Sequence, residues 1–197
     1  MDPLVFLGIP SYKFVPSCCL GPHLGIVAAG VAQRWLGQIC APADMYITKA
    51  RNEIALSFMA SECTHLLFVD DDVLVPQGAV PLLLAAETPI VSGWYRDVLK
   101  RPIIYQLEPF ALWPADKPVE PGLHMIDGMG LGCTLIERQV FEKVTQPWFE
   151  TLSQIDAQGR LVETGEDVRF AEKLRAHGFT WVLHGDVACD HARVQVI

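Results

Sequence analysis

Thr64-His65-Leu66-Leu67-Phe68-Val69-Asp70-Asp71-Asp72-Val73 is the stretch on which the reading of this chain turns. Leu66 to Val69 is a short continuous apolar run, rich in branched and aromatic side chains, which predicts a strand buried on both faces of a parallel sheet. Three carboxylates follow it directly. Adjacent like charges repel unless they are solvated or hold a cation, and in open α/β sheets ligands bind beyond the carboxyl ends of the strands. The stretch therefore reads as a divalent-metal and phosphate site, or else as a solvated acidic turn, and the flanking sequence has to separate the two.

Upstream, Thr48-Lys49-Ala50-Arg51-Asn52-Glu53-Ile54-Ala55-Leu56-Ser57-Phe58-Met59-Ala60 has Ala50, Ile54, Ala55, Phe58 and Met59 on one helical face. With Thr48 as N-cap, Arg51 and Asn52 fall in the first turn, where free N–H groups and the positive dipole end suit a diphosphate. A surface Arg and a capping Asn is the plainer alternative. Further back, Leu4 to Ile9 predicts a first buried strand ended by Pro10-Ser11-Tyr12, a candidate ligand loop. A helix is expected over about Leu20 to Leu36 and a short strand over Ala41 to Ile47.

Downstream, Pro76 to Glu87 predicts a helix opening on proline, and Pro89 to Tyr95 a strand. This alternation of strands and helices implies a largely parallel sheet wrapped by helices. Pro102, Pro109, Pro114, Pro118 and Pro121 then mark a loop-rich excursion, the kind of segment that carries specificity or is simply surface. Gly128-Met129-Gly130-Leu131-Gly132 superficially suggests a dinucleotide fingerprint, but it opens no βαβ unit and is rejected as one. Small residues there let a strand backbone pass close to a ligand. Ile136, Val140, Phe141 and Val144 predict a short helix ended by Pro147-Trp148-Phe149. Thr164 and Asp167 have capping-box spacing, and Val168, Ala171 and Leu174 share the face of the helix that follows, stopped by Gly178. Glu166 and Asp167 at its start are ordinary dipole chemistry or catalytic acids. A strand over Phe179 to Leu183 precedes His191, which is a structural histidine or a metal ligand.

The bulk properties narrow the function class. A chain of 197 residues, 51% hydrophobic and 19% charged, suits one globular domain. Its net charge of -8 argues against a nucleic-acid-binding surface, since phosphate neutralisation needs clustered Lys and Arg. Cys18, Cys19, Cys40, Cys63, Cys133 and Cys189 have no CxxC or zinc-like spacing and read as free thiols of a reducing compartment. There is no basic leader and no run of membrane-span length, so a cytoplasmic protein is expected.

Taken in order, these segments resemble the GT-A fold glycosyltransferases, most closely the family 2-like enzymes that use a nucleotide sugar. Ile9-Pro10-Ser11-Tyr12 looks like the base-binding loop, Ala50-Arg51-Asn52 the helix start near the diphosphate, and Asp70-Asp71-Asp72 the DxD motif. Gly128 to Phe141 with Pro147-Trp148-Phe149 is similar to the acceptor-side segment, Gly165-Glu166-Asp167 with Phe170 to the ED motif, and His191 to the C-terminal metal-binding His. The ordered set is more specific than DxD alone.

The resemblance implies an α/β GT-A fold with a mostly parallel central sheet flanked by helices, in a single domain over residues 1–197. Residues 1–97 form its nucleotide-sugar-binding half and 98–197 its acceptor-side and catalytic half. It implies that Pro10, Ser11, Tyr12, Arg51, Asn52, Asp70 and Asp71 bind a UDP- or GDP-sugar. Asp72, Asp70 and His191 would hold Mn2+ or Mg2+, the ions that oxygen and imidazole donors suit. Asp167 is the implied general base for an acceptor hydroxyl of unknown identity, with Glu166 second; Asp71 is structural or positions the nucleotide. The QxxRW motif of processive synthases and membrane helices are absent, and the acceptor site is expected to be completed by a partner subunit or by self-association. Two other readings stay open: a non-catalytic nucleotide-sugar-binding module, and a sugar nucleotidyltransferase. The latter calls for a Gly-rich basic loop where this chain has Pro10-Ser11-Tyr12-Lys13.

Overall fold

A computed structural model describes residues 2–11, 15–97 and 99–192. The first half runs β1 (Val5–Gly8), α1 (Ser17–Ala32), β2 (Leu36–Cys40), α2 (Ile47–Met59), β3 (His65–Val69), β4 (Val73–Leu74), α3 (Ala79–Ala85) and β5 (Ile90–Trp94). The second half runs β6 (Ile104–Leu107), β7 (Phe110–Leu112), β8 (Leu123–Ile126), β9 (Gly128–Met129), β10 (Cys133–Glu137) and α4 (Arg138–Lys143). It ends with β11 (Leu152–Ile155), β12 (Leu161–Thr164), α5 (Glu166–Ala176), β13 (Trp181–Ala188) and β14 (Asp190–His191).

A seven-stranded sheet, ordered β2-β1-β3-β10-β5-β13-β8, forms the centre. The burial on both faces expected for β3 is realised. Leu66 and Phe68 enter one core with Ile54 and Phe58 of α2 and Phe170 of α5, while Leu67 and Val69 enter the other with Ile26 of α1 and Leu83 of α3. Burying a strand on both faces removes its whole side-chain surface from water, at roughly 25 cal/mol per Å² of apolar area.

The sheet corrects one expectation. Three neighbouring pairings are parallel (β1–β2, β1–β3, β5–β13) and three antiparallel (β3–β10, β10–β5, β13–β8), so the sheet is mixed rather than mostly parallel. A parallel connection needs a crossover, usually a helix, and the chain between β5 and β10 lays down only strands and loops. β10 therefore starts beside the carboxyl end of β3, with Cys133 opposite Val69, and runs back between β3 and β5. Strands from residues 1–97 and 98–197 thereby interleave in one sheet.

Several boundaries also move. The expected strand over Ala41 to Ile47 lies earlier, at Leu36–Cys40, and Ile47 already opens α2. The cap of α2 is Tyr46, not Thr48, so Arg51 and Asn52 are its fifth and sixth residues and lie in its second turn. Gly165 rather than Thr164 caps α5, without a side-chain cap bond, and Thr164 closes β12. The proline-rich excursion is partly ordered: β6 pairs with β7 and with β9 in a separate small sheet. At the far end of α2, Arg138 donates to the carbonyls of Phe58, Met59, Ser61 and Cys63, closing the helix terminus and fixing α2 against α4.

Candidate functional site

The directions of the strands bring the chemistry together. β1 and β3 are parallel, β5 and β13 are parallel, and β3 and β5 both oppose β10, so these four strands end at one edge. Pro10, Asp70, Tyr95 and Cys189 follow within two residues of those ends. β14 then pairs with β4, placing His191 opposite Val73, and the Ala192 N–H donates to the Asp72 carbonyl at 2.7 Å.

That pairing sets Nε2 of His191 3.0 Å from Oδ2 of Asp72, both side chains partly open to solvent. Nδ1 of the same ring lies 3.2 Å from the carbonyl oxygen of Arg96, which can only accept, so Nδ1 carries a proton. Nε2 then either carries a second proton toward Asp72 or presents a lone pair to it with a cation between. A carbonyl that fixes the far nitrogen of a histidine is the usual support of a metal-ligating imidazole. The hydrogen bond that protonated His191 donates to Asp72 raises the His191 pKa against the opposing effect of burial. Asp72 and His191 therefore fit two ligands of a hard divalent cation.

Asp70, expected as a third ligand, is engaged elsewhere. Arg51, only 3% exposed, points Nη2 at its carboxylate, 3.0 Å from Oδ1 and 3.2 Å from Oδ2, and its Nε at Oε1 of Glu166, 3.3 Å away. Burial alone lowers the pKa of a guanidinium, but Asp70 and Glu166 outweigh it and raise that of Arg51. For Asp70 burial dominates and raises the pKa, helped by Asp72 and opposed by Arg51. Among the described residues no three His, Cys, Asp or Glu side chains gather as a metal-holding group. Arg51, in the second turn of α2, lies over the Phe68 ring, 5.2 Å from its centroid.

Asn52 is likewise committed. Its amide donates to the carbonyls of Thr48 (2.8 Å) and Phe149 (2.7 Å), and its oxygen accepts the Phe149 N–H, so it ties α2 to the segment after α4. Pro10 and Ser11 do meet the acids: with Met45, Ile47, Ala50 and Asp70 to Asp72 they line a cavity of about 210 Å³. Tyr12 lies outside the described residues.

Asp167 opens α5 on the same side. Its Oδ1 accepts the Val168 N–H at 2.8 Å, and its Oδ2 accepts a short hydrogen bond from the Tyr105 hydroxyl. Burial raises the Asp167 pKa, with Glu166 adding repulsion and the Tyr105 bond pulling the other way. A carboxylate oriented by a phenol and made more basic by burial suits a general base.

Tyr105 and Tyr95 were not singled out by the sequence. Tyr105 sits in the proline-rich excursion with no local signal of a role. Tyr95 was read only as a strand end, and the glycines at 128, 130 and 132 as a place where a strand backbone passes close to a ligand. Tyr95 is 4% exposed and its hydroxyl accepts the Gly132 N–H at 3.1 Å. All six cysteines are free, and no helix among the described residues is long and apolar enough to cross a membrane.

No protein-family model and no curated protein matches this sequence. Among solved structures, that of A197 from STIV is similar over 98% of this chain and 96% of its own, with a TM-score of 0.62 and 19% identity. The structure of GalNAc-T7 with UDP, GalNAc and Mn2+ is similar over 99% of this chain and 45% of its own, with a TM-score of 0.59 and 10% identity. At these identities the likeness is one of fold, and the second neighbour supports a GT-A-like α/β fold for this chain.

Proposed function

We propose that this chain is a metal-dependent glycosyltransferase that moves a sugar from a nucleotide-diphospho-sugar to an acceptor hydroxyl. The observation that carries the proposal is the Asp72–His191 pair, 3.0 Å apart at the carboxyl edge of a GT-A-like sheet, with the far imidazole nitrogen held by the Arg96 carbonyl. Asp72 and His191 would hold Mn2+ or Mg2+, which would supply positive charge against that developing on a departing diphosphate. Pro10, Ser11 and Asp71 line the same small cavity and are assigned to the nucleotide. Arg51 holds Asp70 and Glu166 in place and offsets part of their negative charge. This leaves Asp167 rather than Glu166 to take the proton of the acceptor hydroxyl, its carboxylate oriented by Tyr105.

The test is sugar transfer, or hydrolysis of UDP- and GDP-sugars, with Mn2+ present and after chelation. The expected result is turnover that is lost on adding EDTA and lost in Asp72→Ala. Turnover indifferent to both overturns the proposal. Tight Mn2+-dependent binding of UDP or GDP, with no turnover of any sugar nucleotide and no change in Asp167→Asn, assigns the chain to nucleotide-sugar binding without catalysis.

A further inference from the structure

The glycine run Gly128-Met129-Gly130-Leu131-Gly132 has no part in the proposed chemistry, yet the space around it is specific. A Cβ on Gly130 would fall on the Tyr95 hydroxyl oxygen, with Tyr95 Cζ at 3.2 Å and Ile103 Cγ2 at 3.3 Å. A Cβ on Gly132 would lie 2.8 Å from the same oxygen, 2.9 Å from Cζ and 2.9 Å from Val73 Cγ2. The phenol is thus seated where two side chains would otherwise be. It accepts the Gly132 N–H, and the Gly132 carbonyl accepts the Asp70 N–H at 3.1 Å, so one residue separates Tyr95 from the acidic turn.

The other side of Tyr95 faces the histidine. Its ring meets the imidazole of His191 edge to face, with centroids 5.4 Å apart and planes at 66°. The backbone on either side of it holds the same segment: the Trp94 carbonyl accepts the Cys189 N–H at 2.7 Å, and the Arg96 carbonyl lies 3.2 Å from Nδ1 of His191. Asp72 and His191 are 119 residues apart in sequence, and Tyr95 contacts the support of each.

We infer that Tyr95 is a positioning residue for the cation pair, its ring setting the His191 imidazole and its hydroxyl, seated on Gly130 and Gly132, setting the turn that carries Asp72. This rests on the metal reading above. Gly130 and Gly132 are then a socket for a phenol and not a ligand loop.

Free Mn2+ followed by electron paramagnetic resonance, well below the melting temperature, gives the affinity of the folded wild type, Tyr95→Phe and Tyr95→Leu. Loss of a supporting partner weakens metal sites by about 10- to 100-fold. The expected result is about 10-fold for Tyr95→Phe, which keeps the ring, and toward 100-fold for Tyr95→Leu, which loses it. A residue that contributes only stability leaves the affinity of the folded protein unchanged, so wild-type affinity in both variants overturns the inference. A wild type that takes up no Mn2+ overturns the metal reading itself, which is a different result. Melting of glycine variants supplies a second measurement. Gly130→Ala is expected to lower Tm by about 5 °C, and Tyr95→Phe in the same chain should restore part of that loss, because the displaced atom is the hydroxyl. Gly132→Ala should not be restored, since Val73 and the ring carbon still obstruct it. Equal losses for Gly130→Ala with and without the hydroxyl overturn the socket.

Discussion

The two ends of the acidic turn, two residues apart, meet opposite fates. Asp70 is 21% exposed and bound by an arginine that is 3% exposed, with Glu166 completing a network that α2 and α5 close over. Asp72 is 39% exposed and faces His191 across the open edge of the sheet. A run of three carboxylates is therefore not one site: the fold neutralises its first member internally and leaves its last to face a ligand. Charge density in a sequence says that compensation is needed, while the position of the compensating group decides which acid remains available.

Breaking the buried side should have the largest effect. Arg51→Ala leaves two acids without their counter-charge and is expected to destabilise the protein by about 3–5 kcal/mol, measured by urea unfolding. A loss below about 1 kcal/mol would mean that the network is solvated and the contrast with Asp72 is false. On the open side, Asp72→Ala and His191→Ala should each reduce Mn2+ affinity on the order of 100-fold, about 2.8 kcal/mol. Their folding stability should move by no more than about 0.5 kcal/mol, as expected of substitutions at an exposed edge. Large destabilisation with unchanged affinity would reverse the assignment of the two ends.

A subtler contrast concerns Asp167. Because burial raises its pKa and a base must be ionised to act, transfer should increase as pH rises through that value and fall away below it. Tyr105→Phe removes the hydrogen bond that holds the pKa down, so the acid limb of kcat/KM should move to still higher pH. A limb that stays put or moves to lower pH would remove Asp167 from the role of base. The smallest expected effect belongs to Asp71→Asn, which should change Mn2+ affinity less than tenfold, under about 1.4 kcal/mol. A loss matching that of Asp72→Ala would make the middle acid a ligand and erase the division within the turn.

Much of this was legible residue by residue. The apolar run before Asp70 read as a strand hidden on both faces, as the structure shows, and the acids after it read as a ligand site or a solvated turn at the strand's carboxyl end. The spacing of Val168, Ala171 and Leu174 marked the helix that carries Asp167. What escaped were the groups that act on these residues from a distance. Arg51 was read as a helix-start cation for a diphosphate, yet a cap one residue before Ile47 places it in the second turn, where it turns into the protein. Asn52, assigned to the nucleotide, also brackets Phe149, a contact no local pattern announces.

Local periodicity and capping chemistry act over one or two helical turns, and within that span the sequence indicates which segments are strands or helices and which helix face is apolar, while element ends shift by several residues. The decisive contacts are far longer: Arg51 to Glu166 spans 115 residues, Tyr105 to Asp167 spans 62, and Asp72 to His191 spans 119. Their existence depends on β10 entering the sheet antiparallel between β3 and β5, and on β13 returning beside β5. No local propensity encodes those two choices, because they follow from which strand pairings bury the two cores together. The fold thereby selects which acid is neutralised, which is left open, and which phenols stand beside them.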